Sequence, residues 1–243
     1  MPLDHYVSQV HLRHFYSPAL NELMFAVRKS DRKTFCCNSK SVCRIEDGSS
    51  NAYLRRDRLI EEFLQFVLTE LLEDGTVSFK IDPKFPQALG ITSIIGWVSV
   101  FGNSRSEILR NEEADTPFFT SDFPVGLERG TDPRVLNRIV PLAPDLAIRI
   151  CPHIRLSGQP PDLSFKTFKA KQHRLKRREV VEANRCIVRC AEDTVFYRDD
   201  FDWVVPFISK HRRYRVEGVT QRIPHGRGFL NVSTQRIIST QST

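Results

Sequence analysis

The sequence predicts a single α+β domain with a strand-rich centre and a few helices packed against it. Two long helices are expected, one from its apolar periodicity and one from its basic composition, and short apolar runs separated by Pro and Gly lie between them. A chain of 243 residues, 40% hydrophobic and 27% charged, can bury one sizeable core. We expect one domain over residues 1–230 and a mobile tail over 231–243, because the composition there turns to Ser, Thr and Gln.

The first hundred residues predict a short helix, three strands and a long helix. Ser8 is a good helix N-cap and Pro18 a good stop, which favours a helix towards Phe15, although the alternation also fits a strand. The three strands are expected at residues 23–28, 33–37 and 41–45. From Asp57, apolar residues recur at helical intervals until Gly75, which predicts a helix with one buried face.

The second half predicts four central strands, a basic helix and two short final elements. The central strands are expected at residues 77–81, 116–120, 138–142 and 146–151, and a loop at 154–161 follows them. The basic helix is expected at 171–191, a strand at 194–197 and an amphipathic segment at 203–208.

Positive charge is concentrated towards the carboxyl terminus. The net charge is +7 at pH 7, and basic residues cluster at 166–189 and again at 210–227. Such clusters favour a polyanion partner, RNA or DNA, through long-range steering and counterion release. Arg174, Arg177 and Arg178 are the candidate phosphate-binding residues on the basic helix. A solvated helix face with no partner is an equally good interpretation.

Several classes of protein are disfavoured by what the sequence lacks. The longest apolar passage, residues 91–101, is too short to span a membrane, and no secretory signal is apparent, so a cytoplasmic location is expected. The six cysteines lack zinc-ribbon spacing and are expected to be reduced and mostly buried, although a metal site at Cys186 and Cys190 with a histidine is an alternative. Motifs for nucleotide hydrolysis, dinucleotide binding and zinc proteolysis are also absent.

The amino-terminal segment concentrates polar functional groups, and it carries a family resemblance. It reads His5-Tyr6-Val7-Ser8-Gln9-Val10-His11-Leu12-Arg13-His14-Phe15. This segment resembles the signature His-Tyr-Val-Pro-Gln-x-x-Leu-Arg-x-Phe of a mostly bacterial family classified as a domain of unknown function. Three further matches follow in the same order: Thr120-Ser121-Asp122-Phe123-Pro124-Val125, Pro141-Leu142-Ala143-Pro144, and Asn184. Ser8 replaces the family's proline, and the Arg-Thr-Pro helix has no counterpart between Gly75 and Glu113. The resemblance marks candidate functional positions in this sequence, but it does not imply a reaction.

His5 is the first candidate for a general acid or base, since an imidazole titrates near neutral pH. Arg13 is the candidate that binds phosphate or stabilises developing negative charge, and its alternative role is a buried ion pair. Asp122 would orient His5 or hold a divalent cation such as Mg²⁺, and the alternative is ordinary turn chemistry. The other candidate substrate-binding residues are Tyr6, Gln9, Ser121 and Asn184.

Two functions remain open at this point. In the first, the chain is an RNase-like or endonuclease toxin or defence effector, and His5, Arg13 and Asp122 converge beside the basic helix to cleave phosphodiesters. In the second, it is a non-catalytic module that binds nucleic acid or a protein, and the signature residues hold the core together. The first predicts that His5→Ala abolishes turnover in a folded protein, and the second predicts that the same substitution lowers stability.

Overall fold

The computed structural model describes residues 3–5, 7–46, 68–71, 77–80, 104–132, 135–153, 170–226 and 228–240. Strands dominate these ranges, and three helices accompany them, so the predicted α+β class is confirmed. The helices are α1 (Gln9–Arg13), α2 (Arg177–Cys190) and α3 (Val204–His211). The strands are β1 (Leu3–His5), β2 (Met24–Arg28), β3 (Thr34–Cys37), β4 (Arg44–Glu46), β5 (Leu68–Leu71), β6 (Val77–Lys80), β7 (Ser104–Asn111), β8 (Thr120–Ser121), β9 (Gly126–Arg129), β10 (Leu136–Ala143), β11 (Leu146–Pro152), β12 (Ala170–Leu175), β13 (Thr194–Tyr197), β14 (Tyr214–His225) and β15 (Gly228–Ser239).

In a four-stranded antiparallel sheet of order β3-β2-β13-β8, the two central strands are buried on both faces. Successive residues of a strand point to opposite faces, so neighbouring apolar residues enter two different cores. Val27 and Val195 pack with residues of α2 and α3, whereas Ala26 and Phe196 pack with Leu12 of α1. The continuous apolar runs of β2 and β13 thus follow from having a helix on each side.

A five-stranded sheet in the order β12-β7-β11-β10-β9 forms the second layer. Strand β12 is parallel to β7, and the other pairs are antiparallel. Helix α2 contributes Val180 and Ala183 to the core of this sheet, and Ile187 to the core of the four-stranded sheet. Strand β9 approaches α2 closely at Gly126, where an added Cβ would lie 3.1 Å from the backbone nitrogen of Ile187. One helix therefore joins the two sheets.

Strands β14 and β15 form a two-stranded antiparallel ribbon of 12 residues in each strand, paired from Tyr214 and Ser239 at its base to His225 and Gly228 at its tip. Gly226 takes a φ of +58° at the turn, a value that glycine adopts without steric cost. Residues 231–239, part of the segment for which the sequence predicts a mobile tail, belong to β15. The mobility of that segment stays a prediction. The β-branched residues of that segment favour a strand.

The helix predicted from Asp57 and the basic helix differ most from the structure. Residues 57–67 lie outside the described residues, and Leu68–Leu71 forms strand β5 paired with β6 rather than a helix. The basic helix begins at Arg177, because Ala170–Leu175 pairs with β7 as an edge strand. The loop predicted at 154–161 is also outside the described residues. In the described part of the chain, no helix is long and apolar enough to cross a membrane.

Candidate nucleic-acid interface

The residues predicted to form a catalytic site do not contact one another in the described part of the chain. His5 is the last residue of β1, where its backbone pairs with Arg44, and its side chain and Tyr6 lie outside the described residues. Gln9 begins α1 and is half-buried, and Arg13 ends the same helix with an exposed side chain. Within the described residues, no hydrogen bond or ion pair joins Arg13 to Asp122. The convergence of the three candidates stays a prediction.

The histidine that docks the amino-terminal segment on the sheet is His11. Its Nε2 atom lies 2.8 Å from Oγ1 of Thr120, which is fully buried in β8. The His11 ring also lies against Phe15, with 5.6 Å between the ring centroids. Burial, with a smaller contribution from His14, lowers the pKa of His11, so the neutral ring is favoured. Sequence reasoning did not select His11, although its place in the signature was a signal.

The carboxylate of Asp122 holds the turn that leads from α2 into β13. Its oxygens accept hydrogen bonds from the backbone amides of Glu192, Asp193 and Thr194 at 2.9, 2.8 and 2.8 Å. Burial raises the pKa of Asp122, while these amides and Lys29 act in the opposite direction. This is the turn chemistry that the sequence offers as the alternative to a functional role. Among the described residues, no group of three metal-ligating side chains is present to accompany Asp122 at a cation.

Ser121 and Asn184 are fully buried and bonded to nearby backbone. Ser121 Oγ donates to the carbonyl of Phe123 at 2.5 Å and accepts from its amide at 3.2 Å. Asn184 accepts from the amide of Phe119 at 2.9 Å and donates to the carbonyl of Pro117 at 2.8 Å. The two Asn184 bonds satisfy backbone groups of the segment that precedes β8, which does not pair with a neighbouring strand there. Both side chains are enclosed in the core.

The predicted basic helix face is exposed and partly neutralised. The side chains of Arg174, Arg177 and Arg178 are all exposed. Arg174 forms an ion pair with Glu112 at 3.3 Å, and Arg177 forms one with Asp115 at 3.1 Å. Exposed pairs of this kind contribute little stability. They do reduce the positive potential that this face presents to a polyanion.

A buried ionic network lies on the five-stranded sheet beside a cavity of about 430 Å³. Arg149 bridges Glu107 at 3.1 Å and Glu128 at 2.9 Å, and Asn137 donates to Glu128 at 3.1 Å. Burial lowers the pKa of Arg149, but the two carboxylates more than offset that effect and raise it. Each carboxylate is matched by a cation or an amide, which is typical of a structural network.

A second cavity, of about 370 Å³, lies at the base of the ribbon. We call it the basic pocket. It is lined by Arg32, Ser209, Lys210, Arg212, Arg213, Tyr214 and Ser239. Its charged lining residues are all cations. The cluster at 210–227 in the sequence was the signal for it, but sequence reasoning assigned no site residues there.

The walls of the basic pocket are fixed by hydrogen bonds to backbone. Arg32 has a φ of +65° in the turn between β2 and β3, an uncommon conformation for a residue with a Cβ. Its amide donates to the carbonyl of Arg28 at 2.8 Å, which closes the turn. Arg212 donates to the carbonyls of Lys29 and Ser30 at 3.0 and 3.2 Å. The turn and the segment between α3 and β14 are thereby held together.

Beneath these walls, Lys29 is only 3% exposed. Its Nζ atom donates to the carbonyl of Ala191 at 2.5 Å and to that of Tyr214 at 2.6 Å. Burial lowers the pKa of Lys29 to about 8, although Asp122 and three other groups act in the opposite direction. The side chain therefore joins the end of α2 to the first residue of the ribbon.

Cations predominate around His211, which is next to the basic pocket in sequence. Burial lowers the pKa of His211 to about 4, and Arg189, Lys210 and Arg185 lower it further. The guanidinium of Arg189 lies over the ring of Tyr214 at 4.4 Å, a cation–π contact that also supports the ribbon base. An anion entering the basic pocket would meet a field favourable to its charge.

No protein-family model, curated protein or solved structure gives a significant match to this chain. The resemblance drawn from the amino-terminal signature accordingly stays a prediction.

Proposed function

We propose that the chain is a nucleic-acid-binding module in which the basic pocket holds a phosphate of the sugar–phosphate backbone. One observation carries the proposal: the pocket presents Arg32, Lys210, Arg212 and Arg213, with two serine hydroxyls and no carboxylate in its lining. Guanidinium groups and hydroxyls donate hydrogen bonds to phosphate oxygens, and such contacts form the greater part of protein–nucleic acid hydrogen bonding.

The position of the pocket supports this assignment. It lies where a turn, a helix end and the ribbon base meet, so its cations come from three separate elements. Arg212 is fixed by two backbone carbonyls, and holding a guanidinium in place reduces the entropy lost on binding. Of the three arginines predicted for the basic helix, by contrast, Arg174 of β12 and Arg177 of α2 are paired with acidic residues.

The prediction of phosphodiester cleavage remains a separate proposal. It needs His5, whose side chain lies outside the described residues, and it needs Asp122, whose oxygens accept three backbone amides. The binding module requires neither. It is therefore the function that the described geometry supports better.

The test is fluorescence anisotropy with labelled single-stranded RNA, single-stranded DNA and duplex DNA across a range of salt concentrations. The double variant Lys210→Ala/Arg213→Ala removes two pocket cations and spares Arg212, which has a structural role. We expect it to weaken binding about 10-fold and to reduce the slope of log K against log salt by about 1 to 2. The matched control is Arg174→Ala/Arg178→Ala, which removes the same charge from β12 and α2.

A loss of affinity confined to the pocket variant supports the proposal. Equal losses in both variants would show diffuse attraction with no phosphate site, and failure of the wild type to bind any of the three probes would reject the function. Denaturing gels of the same mixtures with Mg²⁺, for wild type and His5→Ala, test cleavage independently.

A further inference from the structure

The basic pocket holds positive charge that the described part of the fold does not neutralise. Its lining contains the cations Arg32, Lys210, Arg212 and Arg213 and no carboxylate. Within the described residues, none of these four side chains forms an ion pair. Like charges on one concave surface repel one another, and a bound anion relieves that repulsion. The pocket therefore favours an anion with more than one negative charge.

Arg212 is held in place by the fold and keeps donors for a ligand. Its Nη1 atom donates to the carbonyls of Lys29 and Ser30. A guanidinium has five N–H donors, and the Nη2 and Nε atoms of Arg212 make no hydrogen bond to a described residue. The side chains of Lys210 and Arg213 are exposed on either side of it in sequence. These groups can surround a phosphate with donors.

Arg32 brings a guanidinium to the pocket from a second element, the turn between β2 and β3. Its φ is +65°, and its amide donates to the carbonyl of Arg28. The side chain is exposed and lines the pocket. Asn is more frequent than Arg in this left-handed conformation, so the turn itself does not require an arginine. The guanidinium is therefore available to a ligand.

The charge and the size of the pocket distinguish two kinds of phosphate. A phosphodiester inside a strand carries one negative charge. A phosphomonoester carries a charge of about −1.5 to −2 at pH 7 and offers three strong acceptor oxygens. The cavity of about 370 Å³ lies within the range of pockets that enclose a small ligand, about 300 to 1,000 Å³. It has room for a terminal nucleotide as well as for its phosphate.

Tyr214 gives the pocket an aromatic wall. Its ring is supported by the guanidinium of Arg189 at 4.4 Å. Aromatic side chains stack nucleic acid bases with little regard to sequence. An aromatic ring beside several cations suits the end of a nucleic acid strand, whereas a phosphorylated peptide would engage the cations alone.

We propose that the basic pocket holds the terminal phosphomonoester of a nucleic acid strand, and that Arg32 distinguishes this group from an internal phosphodiester. The inference rests on the proposed function, because it specifies which phosphate of the strand is bound. The chemistry is the same for a phosphate at the 5′ end and at the 3′ end, so the experiment compares both ends.

The test is fluorescence anisotropy with short single-stranded DNA that is labelled on an internal base. The strands carry a 5′-phosphate, a 3′-phosphate or a hydroxyl at both ends. We expect a phosphate at the 5′ or the 3′ end to raise affinity about 10-fold or more, and the end that responds identifies the source. The same phosphate blocked as its methyl ester carries one charge and should bind like the hydroxyl end.

Arg32→Asn removes the cation and suits the left-handed turn. It should reduce the gain from a terminal phosphate to about 2-fold or less, since the phosphomonoester loses a guanidinium partner. The matched control is Lys33→Asn, which removes the same charge from the next residue, exposed and outside the pocket lining. This control should retain the full gain. Thermal melting of both variants checks that each is folded.

Three outcomes would overturn the inference: no gain from a phosphate at either end, a full gain in Arg32→Asn, or equal losses in Arg32→Asn and Lys33→Asn. A methyl ester that binds as tightly as the monoester, or a phosphoserine peptide that competes as well as the phosphorylated strand, would overturn it too. If hydroxyl-ended strands bind through Lys210 and Arg213 and a terminal phosphate adds nothing, only this inference fails. If no strand binds with any end, the proposed function fails with it.

Discussion

The imidazole of His11 and the hydroxyl of Thr120 lie 2.8 Å apart and join α1 to the four-stranded sheet across 109 positions of sequence. Thr120 is fully buried, and the hydrogen bond satisfies its hydroxyl there. The contact connects the amino-terminal signature with the Thr-Ser-Asp motif. Through this hydrogen bond, residues of both motifs help to hold the fold together.

His11→Ala should lower the free energy of unfolding by about 1 to 3 kcal/mol, because the Thr120 hydroxyl is left buried without its partner. Urea titration followed by circular dichroism measures the change. The matched control is His14→Ala, an exposed neighbour on which we expect an effect within about 0.5 kcal/mol. Equal losses from the two substitutions would contradict a specific role for the His11 contact.

Asp122→Asn should lower the free energy of unfolding by about 2 kcal/mol or more, since three backbone amides lose a charged acceptor. Asp200→Asn, at an exposed carboxylate, is the control. A cleavage assay of the same two proteins tests whether Asp122 takes part in phosphodiester cleavage. A fully stable Asp122→Asn protein that has lost cleavage would reject the turn-holding role and support the catalytic one.

Local patterns predicted the core strands well. Strand β13 lies at the predicted residues 194–197, and β2, β3 and β11 lie within one residue of their predicted ends. Each has a run of β-branched or aromatic residues bounded by turn residues, so local preference and burial agree. The basic helix was predicted six residues too early, because the positive residues of β12 suit a solvated helix face as well as an edge strand.

The candidate site depends on contacts that no local pattern encodes. Asp122, Ser121 and Asn184 carry polar groups typical of active sites, yet all three are bonded to backbone. The partners of Asp122 and Asn184 belong to distant segments, and the partner of Ser121 is Phe123, two residues away. Sequence identifies a polar residue but not whether a distant amide satisfies it. The basic pocket joins Arg32 to residues about 180 positions later, and only the pairing of elements reveals that proximity. The sequence did not predict strand β15 of the ribbon, because the Ser, Thr and Gln residues of 231–243 were interpreted as a mobile tail.

Lys29 should give the protein a characteristic dependence of stability on alkaline pH. Its pKa is about 8 in the folded state, below the ordinary value of 10.5, so between these pH values the unfolded chain binds more protons. The contribution of Lys29 to the free energy of unfolding therefore increases as pH rises from 8 to 10.5. The thiols of Cys37 and Cys190, whose pKa values burial raises to about 12, act with the opposite sign above pH 9.

The contribution of Lys29 is isolated by comparing wild type with Lys29→Met in urea titrations at several pH values from 7.5 to 10.5. The difference in unfolding free energy between the two proteins should increase in favour of wild type across this range. Lys40→Met, at an exposed lysine, should run parallel to wild type. A difference for Lys29→Met that is constant with pH would mean that Lys29 titrates normally in the folded protein.

His211 should govern part of the loss of stability in mild acid. Burial and the neighbouring Arg189, Lys210 and Arg185 hold its pKa at about 4, below the ordinary value of 6.5, and Glu182 acts to raise it. The unfolded chain then binds the proton first, so stability decreases as pH falls from 6.5 to 4. His211→Phe keeps an aromatic ring beside Phe207, whose centroid lies 4.9 Å away, and removes the titrating group. The acid decrease in unfolding free energy should be smaller in this variant than in wild type, while His14→Phe retains the full decrease. Parallel curves for wild type and His211→Phe would show that His211 binds its proton equally well in both states.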